Sequence, residues 1–187
     1  MVPVPYWAWH IASSELETVL PRRWAHTQGV AKAAVALAAR LHCETELLTA
    51  AAVLHDVGYA PRLAATGFHP LDGARFLRDQ HQIDERVVCL VANHTCALLE
   101  AQERGLQEQL TSEFPALDHP VLTDALIYCD MTTTPDGMPT GPDRRIGEIL
   151  SRYGPDSVVG RFIRRAEPEI LAAVGRIEAT LSTAQPR

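Results

Sequence analysis

Lysine is nearly absent from this chain: Lys32 is the only one among 17 basic residues. With 23 acidic residues the formal net charge is −6, which excludes a nonspecific binder of nucleic-acid polymers, since such a protein needs a basic face. A small phosphorylated ligand is not excluded, because a few arginines or metal ions can hold a phosphate. No C-x-x-C pair occurs among Cys43, Cys89, Cys96 and Cys129, so zinc-knuckle and dithiol chemistry drop out and the cysteines read as reduced thiols, mostly buried. No run approaches the ~18 apolar residues of a membrane span. The opening Met-Val-Pro-Val-Pro-Tyr has neither a basic region nor an apolar signal core, so a cytoplasmic protein without membrane partners is expected. No period-two strand run and no internal repeat appear.

What remains is helical. The expected fold is an all-α, single-domain bundle over residues 1–187, with a motif-bearing core at about 22–135 and C-terminal helices at about 142–183. Residues 1–12, with Tyr6, Trp7 and Trp9 among prolines, read as a strap packed on the body. Ser14 and Glu17 suggest a capping box, and Pro21 an interruption. Arg22–Leu41 carries Val30, Ala33, Ala34, Leu37 and Leu41 on one side, with His26 on that stripe. Glu44–Val57 is apolar on most sides and stops at Gly58. Pro70–Gln80, Asp84–Leu99 and Val121–Met131 follow as helices, with Glu100–Gln109 a helical surface segment. The loop 135–142 is rich in Pro and Gly. Pro142 opens a helix to Tyr153, and Asp156–Arg165 and Pro168–Leu181 close the chain as two more.

Eight histidines are many for this length, and four of them interrupt apolar helices or their ends. They are His26, His55, His69 and His94, joined in similar settings by Asp56 and Asp130. One partly buried imidazole is easily satisfied by hydrogen bonds. Four imidazoles and two carboxylates on separate helices carry a desolvation cost that a metal ion would offset. Facing helices of a bundle aim side chains at one point, and metal sites are built this way. Six such donors suffice for two divalent ions, with iron or manganese foremost and zinc, nickel, cobalt or magnesium also suited. Asp56 has an oxygen for each ion. His10, His42, His81 and His119 lack these flanks and read as surface or packing residues. The tryptophans read as core before they read as a stacking platform.

The ordered set His26, His55-Asp56 and Asp130 resembles the HD superfamily of metal-dependent phosphohydrolases over roughly residues 22–135. Phe68-His-Pro-Leu-Asp-Gly-Ala74 and Ala92-Asn-His-Thr95 resemble the segments that add two histidines in its six-ligand, two-metal type, and Leu126-Ile-Tyr-Cys-Asp130 resembles its last-ligand segment. The resemblance implies one ion on His26, His55, Asp56 and Asp130, and a second on His69, His94 and Asp56. It implies His55 and Asp56 at the catalytic centre, a hydroxide between the ions as nucleophile, and cleavage of a phosphate ester or anhydride on a nucleotide or other small metabolite. The chain is also similar to mixed-valent di-iron oxygenases of the same fold, which cleave a C–C or C–P bond with O₂. A binding module that keeps the fold without catalysis is the third reading.

Many HD hydrolases carry a lysine four residues after the paired histidine. This chain has Tyr59 there, and the nearest cation along the chain is Arg62. Candidate phosphate contacts are therefore Arg62, Arg22 and Arg23 one turn before His26, and Arg144 and Arg145 after the Pro-Gly loop. The sequence leaves a homodimer open.

Overall fold

The structure, a computed structural model, describes residues 4–41 and 43–183. Among the described residues ten α-helices follow one another in chain order, with one isolated antiparallel bridge, Thr133 with Pro139, and no strand. No helix among them is long and apolar enough to cross a membrane.

The apolar run after Thr45 becomes α3 (Thr45–Leu54), whose residues Leu47 to Leu54 are all buried. It packs against α2 (Pro21–Leu41), α5 (Glu85–Asn93), α1 (Tyr6–Leu16) and α8 (Pro120–Met131). A helix with no polar face can be stable only in such a position. Its last turn delivers His55 and Asp56 into the middle of the molecule, and a 3₁₀ turn, Val57–Tyr59, leads the chain away. Gly58 is required there. A Cβ would sit 2.0 Å from the His69 carbonyl oxygen and 2.6 Å from the Gly73 amide nitrogen, so only glycine lets α4 (His69–His81) cross this turn.

Four expected boundaries differ. The N-terminal segment is helical from Tyr6, and Ser14 lies inside α1 with its hydroxyl on the Ile11 carbonyl rather than capping a later start. Its spacing of Ala8, Ile11, Ala12 and Leu16 on one side sustains the helix, which Pro5 precedes as its N-cap. The expected helix 84–99 breaks at His94–Cys96: Thr95 and Cys96 have φ of 46° and 60°, and α6 (Ala97–Arg104) starts in a new direction. The surface segment then turns at Gly105 into α7 (Gln107–Glu113). The two expected C-terminal helices are one, α10 (Val158–Thr183), with Pro168 inside it. One apolar stripe, Phe162, Ile163, Ala166, Ile170, Ala173, Val174 and Ile177, runs through the proline, and its burial overrides the local break.

That stripe, with Ile146 and Ile149 of α9 (Pro142–Tyr153), closes over Ile127 and Met131 of α8. The wall so formed faces the end of α3. Trp24 is buried and meets Trp9 edge-on at 4.8 Å, so these rings belong to the core. Cys89 and Cys129 are buried, Cys43 and Cys96 half-buried, and all four are free thiols. His10 and His81 are exposed and His119 is half-buried at the start of α8; His42 lies outside the described residues.

Candidate metal centre

Five segments bring six donors to the same place: α2 carries His26, the end of α3 His55 and Asp56, the start of α4 His69, the break after α5 His94 and the end of α8 Asp130. The His55 Nε2 atom is 3.3 Å from Asp56 Oδ2, and His26 Nε2 is 3.9 Å from that same oxygen. The other oxygen, Asp56 Oδ1, is 3.4 Å from His69 Nε2, which is 3.1 Å from His94 Nε2. The donors fall into two groups, His26–His55–Asp56 and Asp56–His69–His94, each with its ligand atoms within 4.8 Å of one another. Asp56 straddles them with one oxygen toward each. Asp130 adjoins the first group, with Oδ1 3.1 Å from His26 Nε2 and 4.0 Å from His55 Nε2.

The orientation of the imidazoles is set from behind. His55 Nδ1 donates to the Ala52 carbonyl at 2.8 Å, His94 Nδ1 to the Val91 carbonyl at 2.6 Å and His26 Nδ1 to the Thr134 carbonyl at 3.0 Å. A carbonyl oxygen can only accept, so each of these rings carries a proton on Nδ1 and points Nε2 inward, where a cation can take the place of any second proton. This is the arrangement in which histidine ligates a metal. Two of the carbonyls lie three residues upstream on the ring's own helix. The third comes from the 133–139 hairpin, whose Thr134 amide donates to the Met138 carbonyl at 2.7 Å. Gly137 (φ 77°) lets this hairpin lie against α2, since a Cβ there would be 2.3 Å from the Ala25 carbonyl oxygen. The start of the Pro- and Gly-rich loop is thus clamped onto α2 and fixes His26.

The strained turn at Thr95 has a local result as well. A β-branched residue at positive φ is costly and persists only when its surroundings enforce it. Here it directs the Thr95 hydroxyl onto Asp130 Oδ2 at 2.5 Å. Nothing in the dipeptide Thr-Cys signals this, and Thr95 was not among the expected site residues.

Burial alone would raise the pKa of both carboxylates. For Asp56 the charges of Arg23, His55 and His69 outweigh it and hold the acid well below its ordinary value. For Asp130 the hydrogen bond with His26 and the charges of His55, His26 and Arg145 do the same. Burial drives His69 and His94 down, helped by neighbouring positive charge from His94 and Arg23 on the first and from His55 on the second. His55 is shifted the other way, raised by the charges of Asp56 and Asp130 despite burial; deprotonated acids and neutral imidazoles are the forms that bind cations, so a bound ion would displace its second proton. One donor, His55 Nε2, is buried with no hydrogen-bond partner. The donor set therefore fits divalent metal ions, by its chemistry and by this orphaned buried nitrogen.

The arginines divide. Arg23 donates to Asp56 Oδ2 at 2.8 Å and lies over the Tyr59 ring at 3.9 Å, while Tyr59 stacks on His69 at 3.8 Å. Tyr59, in the lysine's place, supplies no charge; it supports a guanidinium arriving from α2. Arg145 is buried and lines the central cavity. Three candidates lie away from the centre. Arg62 turns away, pairing through both guanidinium arms with Glu15, a buried acid that α1 places there. Arg22 is exposed and bound to Asp136 at 2.8 Å, at the rim of an outer cavity. Arg144 is exposed beside Thr134, Pro139 and Thr140, on another face. The sequence reading missed Arg152 and Tyr153, which line the central cavity; they fall seven and eight residues after Arg145, on the same face of α9.

The geometry describes a helical protein with a buried histidine–carboxylate centre suited to divalent cations. The HD domain family matches residues 23–127, more than half of the chain, and the chain belongs to that family. Partial similarity extends to two archaeal proteins named tRNA (cytidine(56)-2'-O)-methyltransferase. That of Thermoplasma volcanium is 37% identical over 78 residues, covering 42% of this chain and 22% of its own length. That of Picrophilus torridus is 36% identical over 85 residues, covering 43% and 24%. The chain spans less than a quarter of these relatives, so their named activity is not carried over to it. No solved structure matches.

Proposed function

We propose that this protein is a metal-dependent hydrolase acting on a phosphate ester or anhydride of a nucleotide or another small phosphorylated metabolite. The observation that carries the reading is a single carboxylate, Asp56, shared between two histidine groups and facing a cavity also lined by His69, His94, Arg23 and Arg145. Two divalent ions, when bound by His26, His55, Asp56, His69, His94 and Asp130, would lower the pKa of a water and polarise a phosphoryl oxygen. The chain's own part is to hold the imidazoles in one tautomer, keep both acids ionised, and place cationic donors where phosphate charge develops. Arg23, 18% exposed along its side chain, can turn from Asp56 to a substrate oxygen within the same cavity. In this reading the protein works in the cytoplasm on a small molecule, without nucleic-acid polymer or membrane.

The same six residues serve the di-iron oxygenase reading, and Tyr59 in the lysine's position favours it. The test is phosphate release from a panel of monoesters, diesters and anhydrides, with the protein loaded with Mn(II) or Fe(II). Turnover that falls about a hundredfold or more in Asp56→Asn supports the hydrolase. No phosphate from any substrate, together with O₂ uptake by the iron-loaded protein, would transfer the site to the oxygenase.

A further inference from the structure

We infer that α9 carries an anion seat in this pocket, and that the seat selects a phosphomonoester over a phosphodiester. The inference rests on the hydrolase reading and narrows its substrate class.

Residues 145, 149, 152 and 153 follow the i, i+4, i+7, i+8 spacing of one helix face, and all four line the cavity that holds Asp56, His69, His94 and Asp130. Glu148, one turn from each arginine, ties them together. It accepts from Arg145 Nη1 at 2.5 Å and from Arg152 Nε at 2.8 Å. One carboxylate shared by two guanidiniums leaves a net positive charge and spare donors. The Arg145 side chain is 6% exposed, and its Nε is buried with no partner. A buried charged donor without an acceptor is unfavourable, and an anion in the cavity would supply the acceptor.

The rest of the cavity argues for the shape of that anion. Beside the arginines one side of its wall is apolar, formed by Ile149, Val159, Phe162 and Ile163, while the other carries Asp56, His69, His94 and Asp130, and its one further acid, Glu100, is neutralised by Arg104. Its free volume is about 70 Å³, enough for a phosphoryl group or a handful of waters. Arg23, Tyr59, Arg152 and Tyr153 separate it from an outer cavity of about 390 Å³ that opens toward Leu20 and Pro135. A terminal phosphoryl group can occupy the inner space while its single organic substituent extends outward past the two tyrosines. A diester would force a second substituent against Ile149 and Phe162. The reaction is R–O–PO₃²⁻ + H₂O → R–OH + HPO₄²⁻: water forms the new P–O bond, the ester P–O bond breaks, and one water proton ends on the leaving oxygen.

The experiment is isothermal titration of the purified full chain with inorganic phosphate, phenyl phosphate and diphenyl phosphate, alongside KM and kcat for phenyl phosphate. Expected are binding of phosphate and phenyl phosphate, and at least about tenfold weaker binding of diphenyl phosphate. Arg152→Gln and Arg145→Gln should each weaken phosphate by about tenfold or more, with Arg145→Lys in between. Glu148→Gln, a positioning change, should raise KM more than it lowers kcat. Arg152 is partly exposed, so its variant keeps the test decisive if Arg145→Gln does not fold. Unchanged phosphate affinity in Arg152→Gln, or diester binding as tight as monoester, overturns the seat. Arginine-dependent phosphate binding without turnover of any ester would remove the hydrolase and leave the seat. Turnover with KM and binding unaffected in Arg152→Gln would remove the seat and leave the hydrolase.

Discussion

Removing Arg23 should destabilise the metal-free protein and matter much less once ions are bound. The Arg23–Asp56 pair is mostly buried, with side-chain exposures of 18% and 4% and a 2.8 Å hydrogen bond. Losing one partner of a buried pair costs about 3–5 kcal/mol, because the other charge is left uncompensated. Arg23 is not fully buried and His55 and His69 also face Asp56, so the lower part of that range applies: about 3 kcal/mol for Arg23→Gln. For a chain of this size that is a fall of about 6–12 °C in Tm. Divalent ions would take over the compensation of Asp56, so saturating Mn(II) should recover most of the loss. The assay is thermal unfolding of wild type and variant in chelator and in excess metal. A variant that melts with wild type in chelator would show that Asp56 does not depend on Arg23. A deficit that persists undiminished in metal would remove Asp56 from the ligand set.

Other perturbations test other contacts. His69 and His94 are held below their ordinary pKa, so the unfolded chain binds more protons below about pH 6.5, and their contribution to stability is lost as pH falls from there toward the depressed values. His55 is shifted the other way by Asp56 and Asp130 despite burial and opposes this trend, so the comparison is made within a pair: in chelator, a His69→Asn, His94→Asn variant should show a flatter decline of Tm between pH 7 and 5 than wild type. Arg62→Ala should leave phosphate release unchanged, since Arg62 serves Glu15, and should cost about 1 kcal/mol in urea unfolding once its exposure is discounted. Gly58→Ala should cost about 2–3 kcal/mol and weaken metal uptake, because the added methyl collides with the backbone at His69 and Gly73. A Gly58→Ala protein as stable as wild type would mean that α4 does not need this close crossing.

The donors were legible in the sequence because burial makes a polar residue conspicuous. His55-Asp56 after Leu47–Leu54, and Asp130 at the end of Val121–Met131, stand out against apolar runs that periodicity assigns to helices. The arginines were not legible in the same way. A guanidinium reaches far, and its direction depends on which acid it meets. Arg62 is closest to the His-Asp pair along the chain, yet Glu15 on an unexpected turn of α1 takes it. Arg23 reaches the pair from another helix because Tyr59 offers its ring. The break at Thr95 and Cys96 was hidden because left-handed backbone at such residues comes from tertiary constraint, not local preference. The continuity of α10 through Pro168 was hidden for the converse reason, since a long apolar stripe outweighed a local breaker. Arg152 could have been found by extending the helical face from Arg145.

In the proposed centre six side chains from five segments hold two ions that share Asp56. Elemental mass spectrometry of freshly purified protein, with Asp56→Ala alongside, tests it most directly. The account predicts close to two divalent ions per chain in the wild type, both lost in Asp56→Ala while the fold is retained by circular dichroism. One ion per chain, unaffected by His69→Ala and His94→Ala, would remove the second group from the centre. No ion under any loading condition would contradict the account and leave the histidines as packed, hydrogen-bonded core residues.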